Sequence, residues 1–183
     1  DELRKYIVHF LHQEKKGAGL NSLDNYGIRD GMDISFVAID TNTNILQYSG
    51  AFNPLYVAKY NGLKDKSVRV DSLSSYTFKE ISPDRMPVGI CNNMNPFTNH
   101  IIQLHKNDII YLASDGYSDQ FGGTDNKKFM VENFRYLIRE NCAKPLAEQQ
   151  IILENTIENW MNGLQPDRYG QTDDITVVGI KIS

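Results

Sequence analysis

Cysteine is scarce in this chain: its 183 residues hold only Cys91 and Cys142. With no C-x-x-C pair, both a zinc ribbon and a disulfide scaffold are excluded, and a reducing, cytoplasmic setting is the expectation. Long hydrophobic runs are missing too. No stretch reaches the ~20 apolar residues needed to cross a bilayer, so this segment is not expected to insert into a membrane. An excess of basic charge is also lacking. The formal net charge of -4 gives no field to gather phosphate backbones, so nucleic acid is excluded as a partner class. There is no G-x-x-x-x-G-K-[ST], no G-x-G-x-x-G and no G-x-S-x-G, which removes the common phosphate-cradling loops and the serine nucleophile elbow. The four histidines, His9, His12, His100 and His105, adjoin none of the acidic motifs and receive no role. The chain opens with Asp1-Glu2-Leu3-Arg4, carries no signal pattern and reads as part of a longer protein.

What is present has globular proportions, 40% hydrophobic and 23% charged, and fits a single domain over residues 1–183. Leu3, Tyr6, Ile7, Phe10 and Leu11 recur at helical spacing and predict an amphipathic helix. Residues 14–31 are polar and glycine-bearing and read as a mobile loop. Ile34 to Ile39 is apolar on both alternating faces, as in a strand covered on both sides. Ile45 to Tyr48 is its hairpin partner. Leu55 to Tyr60, the Asn61-Gly62 turn and Ser67 to Val70 predict a second hairpin. Further strands are expected at Tyr76 to Ile81, His100 to Leu104 and Ile109 to Ala113. Two helices follow, the first around Met130, Phe134, Leu137 and Ile138, the second from Pro145 to about Asn162, and Ile175 to Ile182 closes the chain as a strand. The pattern fits one α/β or α+β domain, with mostly antiparallel strands followed by two helices and a closing strand.

Two acidic positions stand out. Asp115 follows directly on one apolar strand, and Asp173-Asp174 precede another. If those strands are antiparallel neighbours, Asp115 and Asp173 meet at one rim of the sheet, and Gly116 lets the backbone come close. Carboxylates held together repel unless a cation or a shared proton compensates them. With no histidine or cysteine adjoining, such a site suits Mg²⁺ or Mn²⁺. Spacing alone leaves another reading open, because Asp-Gly after a strand is a common turn and Asp before a strand a common cap. Asp119 reads as a cap or hydrogen-bonding residue. Asp174 is either a supporting partner of Asp173 or a plain loop carboxylate.

Five segments, taken in order, resemble a known family. They are Asp30-Gly31-Met32-Asp33-Ile34, Tyr48-Ser49-Gly50-Ala51-Phe52-Asn53-Pro54-Leu55, Arg85-Met86-Pro87-Val88-Gly89, Ala113-Ser114-Asp115-Gly116-Tyr117-Ser118-Asp119-Gln120 and Gln171-Thr172-Asp173-Asp174-Ile175-Thr176-Val177. Together they resemble the sporulation-E-type branch of the metal-dependent, protein phosphatase 2C-like family. The resemblance implies a β-sandwich of two sheets flanked by helices, with two Mn²⁺ or Mg²⁺ ions at one edge. It further implies hydrolysis of phosphoserine or phosphothreonine by a metal-activated water. Asp115 and Asp173 fall on the family's ligand positions, with Gly116 and Asp174 beside them. The Tyr48 to Leu55 and Arg85 to Gly89 segments read as turn and core structure.

The family places another ligand motif on strands ahead of the first helix, and no such motif occurs in these 183 residues. The chain is therefore expected to be an N-terminally truncated, C-terminal part of the catalytic domain, inactive alone. Its expected partners are a phosphoprotein substrate, an upstream sensor or regulatory domain that could tether the parent protein to a membrane, and a second chain recruited by exposed sheet edges. A phosphatase-like binding module without catalysis is the competing reading.

Overall fold

A computed structural model describes residues 1–11, 30–62, 75–92, 94–163 and 170–183. The expected loop at 14–31 falls mostly outside these residues, as do His12 and Ser67 to Val70.

Two antiparallel sheets form the frame. One holds β1 (Ile34–Asp40), β2 (Ile45–Ala51) and β5 (His100–Gln103) in the order β1-β2-β5. The other holds β3 (Leu55–Tyr60), β4 (Tyr76–Ile81), β6 (Ile109–Ala113) and β9 (Val177–Lys181) in the order β4-β3-β6-β9. A two-residue ladder, β7 (Phe121–Gly122) with β8 (Lys127–Lys128), replaces the plain Gly122-Gly123 loop that the sequence predicts. The helices are α1 (Glu2–Phe10), α2 (Gly116–Asp119), α3 (Val131–Asn141) and α4 (Leu146–Asn162).

Alternation along β3 and β6 makes this a layered molecule. Leu55, Val57 and Ile110 point to one side and join Leu46, Tyr48, Leu104 and Ile182 between the two sheets. Tyr56, Ala58, Ile109 and Tyr111 point to the other side and pack with Phe134, Ile138 and Ile157 of the helices. Both strands are thus buried on both faces, which is why they read as continuous apolar runs. Trp160 Nε1 of α4 donates to Gln120 O at 3.1 Å, tying the end of that helix to the exit of α2.

Two expectations need correction. The hairpin partner of β3 is Tyr76–Ile81: β4 and β6 take its two sides, with Leu55 opposite both Ile81 and Leu112. β1 is not buried on both faces: Val37 and Ile39 pack inward, whereas Phe36 is 60% exposed and Ala38 is exposed too. The amphipathic helix forms as expected, with Tyr6 and Phe10 of its apolar stripe stacked on each other at 6.0 Å and exposed. Its buried residue is Arg4, which donates to Asn95 O at 2.9 Å and lies 4.1 Å over the Phe97 ring. No helix among the described residues is long and apolar enough to cross a membrane.

Asp108 fixes the end of the sandwich remote from the acidic motifs. Its buried carboxylate accepts the Tyr60 N–H at 2.8 Å and the His105 N–H at 2.9 Å, joining β3 to the turn ahead of β6. Asp108→Asn removes the charge and turns an amide donor toward N–H donors. The variant is expected to lose about 2 kcal/mol of stability, read from the shift in urea midpoint.

Candidate metal centre

The register of β6 with β9 carries the two acidic loops together. Ala113 is opposite Val177, and the pairing continues past the strands: the Ser114 N–H donates to Thr176 O at 3.0 Å. The Ser114 hydroxyl then donates to Asp174 O at 2.8 Å and accepts the Thr176 N–H at 3.0 Å. One side chain thus ties Asp115's loop to that of Asp173 and Asp174 on both sides. Gly116 comes next. A Cβ there would stand 2.4 Å from Asp174 O, a distance side chains do not tolerate, so the approach requires glycine.

Asp115, Asp173 and Asp174 are all exposed at this rim. Asp173 Oδ1 accepts the Asp174 N–H at 2.7 Å, which fixes the turn between them. Gln120, fully buried, supports the same loop: its amide nitrogen donates to Gly170 O at 3.0 Å and its oxygen accepts the Thr172 N–H at 3.1 Å. Asp119 is turned elsewhere, paired with Lys128 at 2.7 Å, in line with its reading as a hydrogen-bonding residue.

Sequence reasoning missed Asp33, which stands just ahead of β1. Partial burial raises its carboxyl above the ordinary range, and the negative charge of Asp115 raises it further. Its place is set by the bridge between Met32 and Val88, whose backbone groups exchange hydrogen bonds of 3.1 and 2.9 Å. The only signal in the sequence was its place as the second acid of Asp30-Gly31-Met32-Asp33, directly ahead of a strand. Ser114 and Gln120 were also missed, being ordinary polar residues until their partners are known.

The remaining motif segments gather here too. The Tyr48 hydroxyl donates to Asn53 O at 2.8 Å across the turn from β2 to β3, directly over Gly50, and Asp84 bonds through its backbone to Gly50 and Phe52. Beside Asp115 these segments frame a groove of about 420 Å³ lined by Phe52, Pro54, Arg85, Val131 and Arg135 among others.

The donors at the rim are carboxylate oxygens, the kind that hard divalent cations take. Among the described residues no three His, Cys, Asp or Glu side chains converge as a complete cage, so the donors fit Mg²⁺ or Mn²⁺ in kind and supply part of a coordination sphere.

The family model of stage II sporulation protein E (SpoIIE) matches residues 25–183. Among solved structures, the SiaA-PP2C domain of Pseudomonas aeruginosa superposes with a TM-score of 0.62 at 23% identity, covering 82% of this chain and 51% of that one. The phosphatase domain of the cell fate determinant SpoIIE from Bacillus subtilis gives 0.51 at 14% identity, over 100% of this chain and 74% of that one. RsbX in complex with magnesium gives 0.50 at 11% identity, over 98% and 73%. This chain thus spans about half the length of the first of these structures. No curated protein matches. At these identities the likenesses establish a shared fold, a PP2C-type sandwich.

Gly116→Ala tests the contact between the two acidic loops. The added methyl meets a backbone carbonyl that cannot rotate away, so the loops must separate. The variant is expected to lose about 1–3 kcal/mol in urea unfolding, with slowed hydrogen exchange at the Ser114 and Thr176 amides lost.

Proposed function

The chain belongs to the SpoIIE family, and from that premise we propose that it forms part of the catalytic domain of a metal-dependent phosphatase acting on phosphoserine or phosphothreonine of a signalling phosphoprotein. The observation that carries this reading is the pairing of Ser114 and Gly116 with Asp174 and Thr176, which sets two acidic loops side by side next to a groove. Asp115 and Asp173 hold the cation, with Asp33 close enough to Asp115 to feel its charge. Crystals of RsbX contain magnesium, which supports a divalent ion in this fold. When bound, Mn²⁺ or Mg²⁺ supplies a water nucleophile at neutral pH and neutralises the phosphoryl oxygens.

The chain's own residues do the rest. Ser114 and Gln120 keep the Asp173 loop in register with Asp115, so the carboxylates need no rearrangement when charge arrives. Gly116 keeps side chains out of the contact. The groove receives the polypeptide on either side of the phosphorylated residue.

In the same reading the segment works in the cytoplasm as one domain, under an upstream regulatory domain, and has little turnover on its own because its described carboxylates do not complete a cage. β1 has a strand on one side only among the described residues, which offers an edge to a second copy. Light scattering at rising concentration is expected to show association; a monomer throughout would remove this partner.

The central experiment is an Mn²⁺ titration followed by electron paramagnetic resonance, with p-nitrophenyl phosphate hydrolysis measured alongside in the parent protein. Asp115→Asn and Asp173→Asn keep side-chain volume but lose charge. Each is expected to weaken Mn²⁺ binding by at least about tenfold, the lower bound for losing even an outer partner of a metal ligand. Turnover should fall about 100-fold or more. Wild-type binding and full turnover in both folded variants would hand the case to a non-catalytic binding module.

A further inference from the structure

The two arginines of the groove are not equivalent. Arg135 Nε lies 2.9 Å from Glu80 Oε2, so its charge is met within the wall. Arg85 is exposed and, among the described residues, has no hydrogen-bond or ion-pair partner. Yet its backbone is held firmly. On one side the Asp84 carboxylate accepts the Thr98 N–H at 2.7 Å and its hydroxyl at 2.9 Å. On the other, Met86 is buried and Val88 is bridged to Met32. A rigidly mounted segment thus presents an uncompensated guanidinium to the cavity that Asp115 also lines.

Charge decides what fits between them. The groove carries a neutralised Glu80–Arg135 pair, an acidic rim and one unpaired cation, with Phe52, Pro54, Pro83 and Val131 supplying apolar surface. An unphosphorylated cationic peptide gains nothing from Arg85, and a plain apolar one leaves it unpaired. A peptide bearing an oxyanion satisfies it, and guanidinium matches carboxylate and phosphate geometry with two parallel N–H donors.

Resting on the phosphatase reading above, we propose that Arg85 is a substrate-binding residue: its guanidinium takes an oxyanion of the phosphopeptide segment seated in this groove, with the phosphorylated side chain directed to Asp115. The sequence motif Arg85-Met86-Pro87-Val88-Gly89 then has two jobs. Met86 and Val88 build the core, and Arg85 reads the substrate. The oxyanion is the phosphoryl group itself or a carboxylate flanking it, and the two sources separate by experiment.

Binding is measured by fluorescence anisotropy without added metal, so that no peptide is consumed. Three labelled peptides are used: phosphoserine flanked by glutamates, phosphoserine flanked by alanines, and unphosphorylated serine flanked by glutamates. Arg85→Ala is expected to weaken binding about tenfold and Arg85→Glu further, while Arg85→Lys keeps part of the affinity. A loss shared by both phosphorylated peptides and absent from the third assigns the phosphoryl group. A loss confined to the glutamate-flanked peptides assigns the carboxylate. Unchanged affinities in Arg85→Ala and Arg85→Glu, or no binding of any peptide by the wild-type chain, would overturn the assignment. The Mn²⁺ titration of Asp115→Asn keeps the two readings apart: if Mn²⁺ binding depends on Asp115 while the Arg85 variants behave as wild type, the phosphatase stands and Arg85 is a solvated surface charge. If peptide binding depends on Arg85 while Mn²⁺ ignores Asp115, the groove binds phosphopeptide without the metal chemistry.

Discussion

The antiparallel pairing of β6 with β9 is the constraint on which the acidic rim depends. Strand pairing aligns Ala113 with Val177, and the next residue would ordinarily be where two strands splay apart into loops. Ser114 prevents this by spending both capacities of one hydroxyl on the opposing backbone. Gly116 then allows contact one residue further, at Asp174. Without those two residues the same strands could pair and still leave Asp115 and Asp173 on independent loops. The closeness of the two loops is therefore set by backbone geometry and held by the hydrogen bonds beneath them.

The second layer of organisation ties the other motif segments to this rim. Gly50 lies under the Tyr48 hydroxyl, which reaches Asn53 O and closes the corner between the two sheets. Burial of that hydroxyl, more than the nearby Asp84 and Glu80, holds the phenol in its neutral donor form. Asp84 joins this corner to the segment leading to Arg85, and Met32 with Val88 joins that segment in turn to Asp33. These links are backbone hydrogen bonds that join three of the motif segments, while Ser114 and Gly116 join the other two at the same end of the sandwich.

Much of this was legible in the sequence, for identifiable reasons. β3 and β6 are buried on both sides, and burial on both sides writes itself as an unbroken apolar run. The strand-to-Asp-Gly and Asp-Asp-to-strand junctions bracket a pairing that follows once the two strands are neighbours. What could not be read is equally specific. The β3–β4 pairing skips over residues 61–75, and nothing local distinguishes Tyr76–Ile81 from another apolar run as the partner. The open faces of α1 and β1 carry the same apolar pattern as covered ones, because periodicity records which residues share a face and says nothing of what lies against it. Asp33 looks like any acid before a strand until the fold brings it to Asp115. Gln120 needs the whole course of the chain from α2 to Gly170 before its two bonds exist.

The distribution of charge around the groove follows from the same topology and explains why its parts are not interchangeable. Asp119 is cancelled by Lys128, and Glu80 by Arg135, each across a gap that only the fold closes. Both pairs are partly exposed and screened by water, so they neutralise charge along the wall without locking it. Among the described residues, negative charge at Asp33, Asp115, Asp173 and Asp174 and positive charge at Arg85 remain uncancelled. A phosphate dianion alone is repelled by the first set and attracted by the second. A cation between them would relieve that repulsion. Arg85 needs no such cation, since its guanidinium attracts an oxyanion whether or not a metal is bound. Under the proposed function the groove thereby separates two tasks, with holding the peptide assigned to one unpaired cation and placing its phosphate assigned to the acidic loops that β6 and β9 hold together.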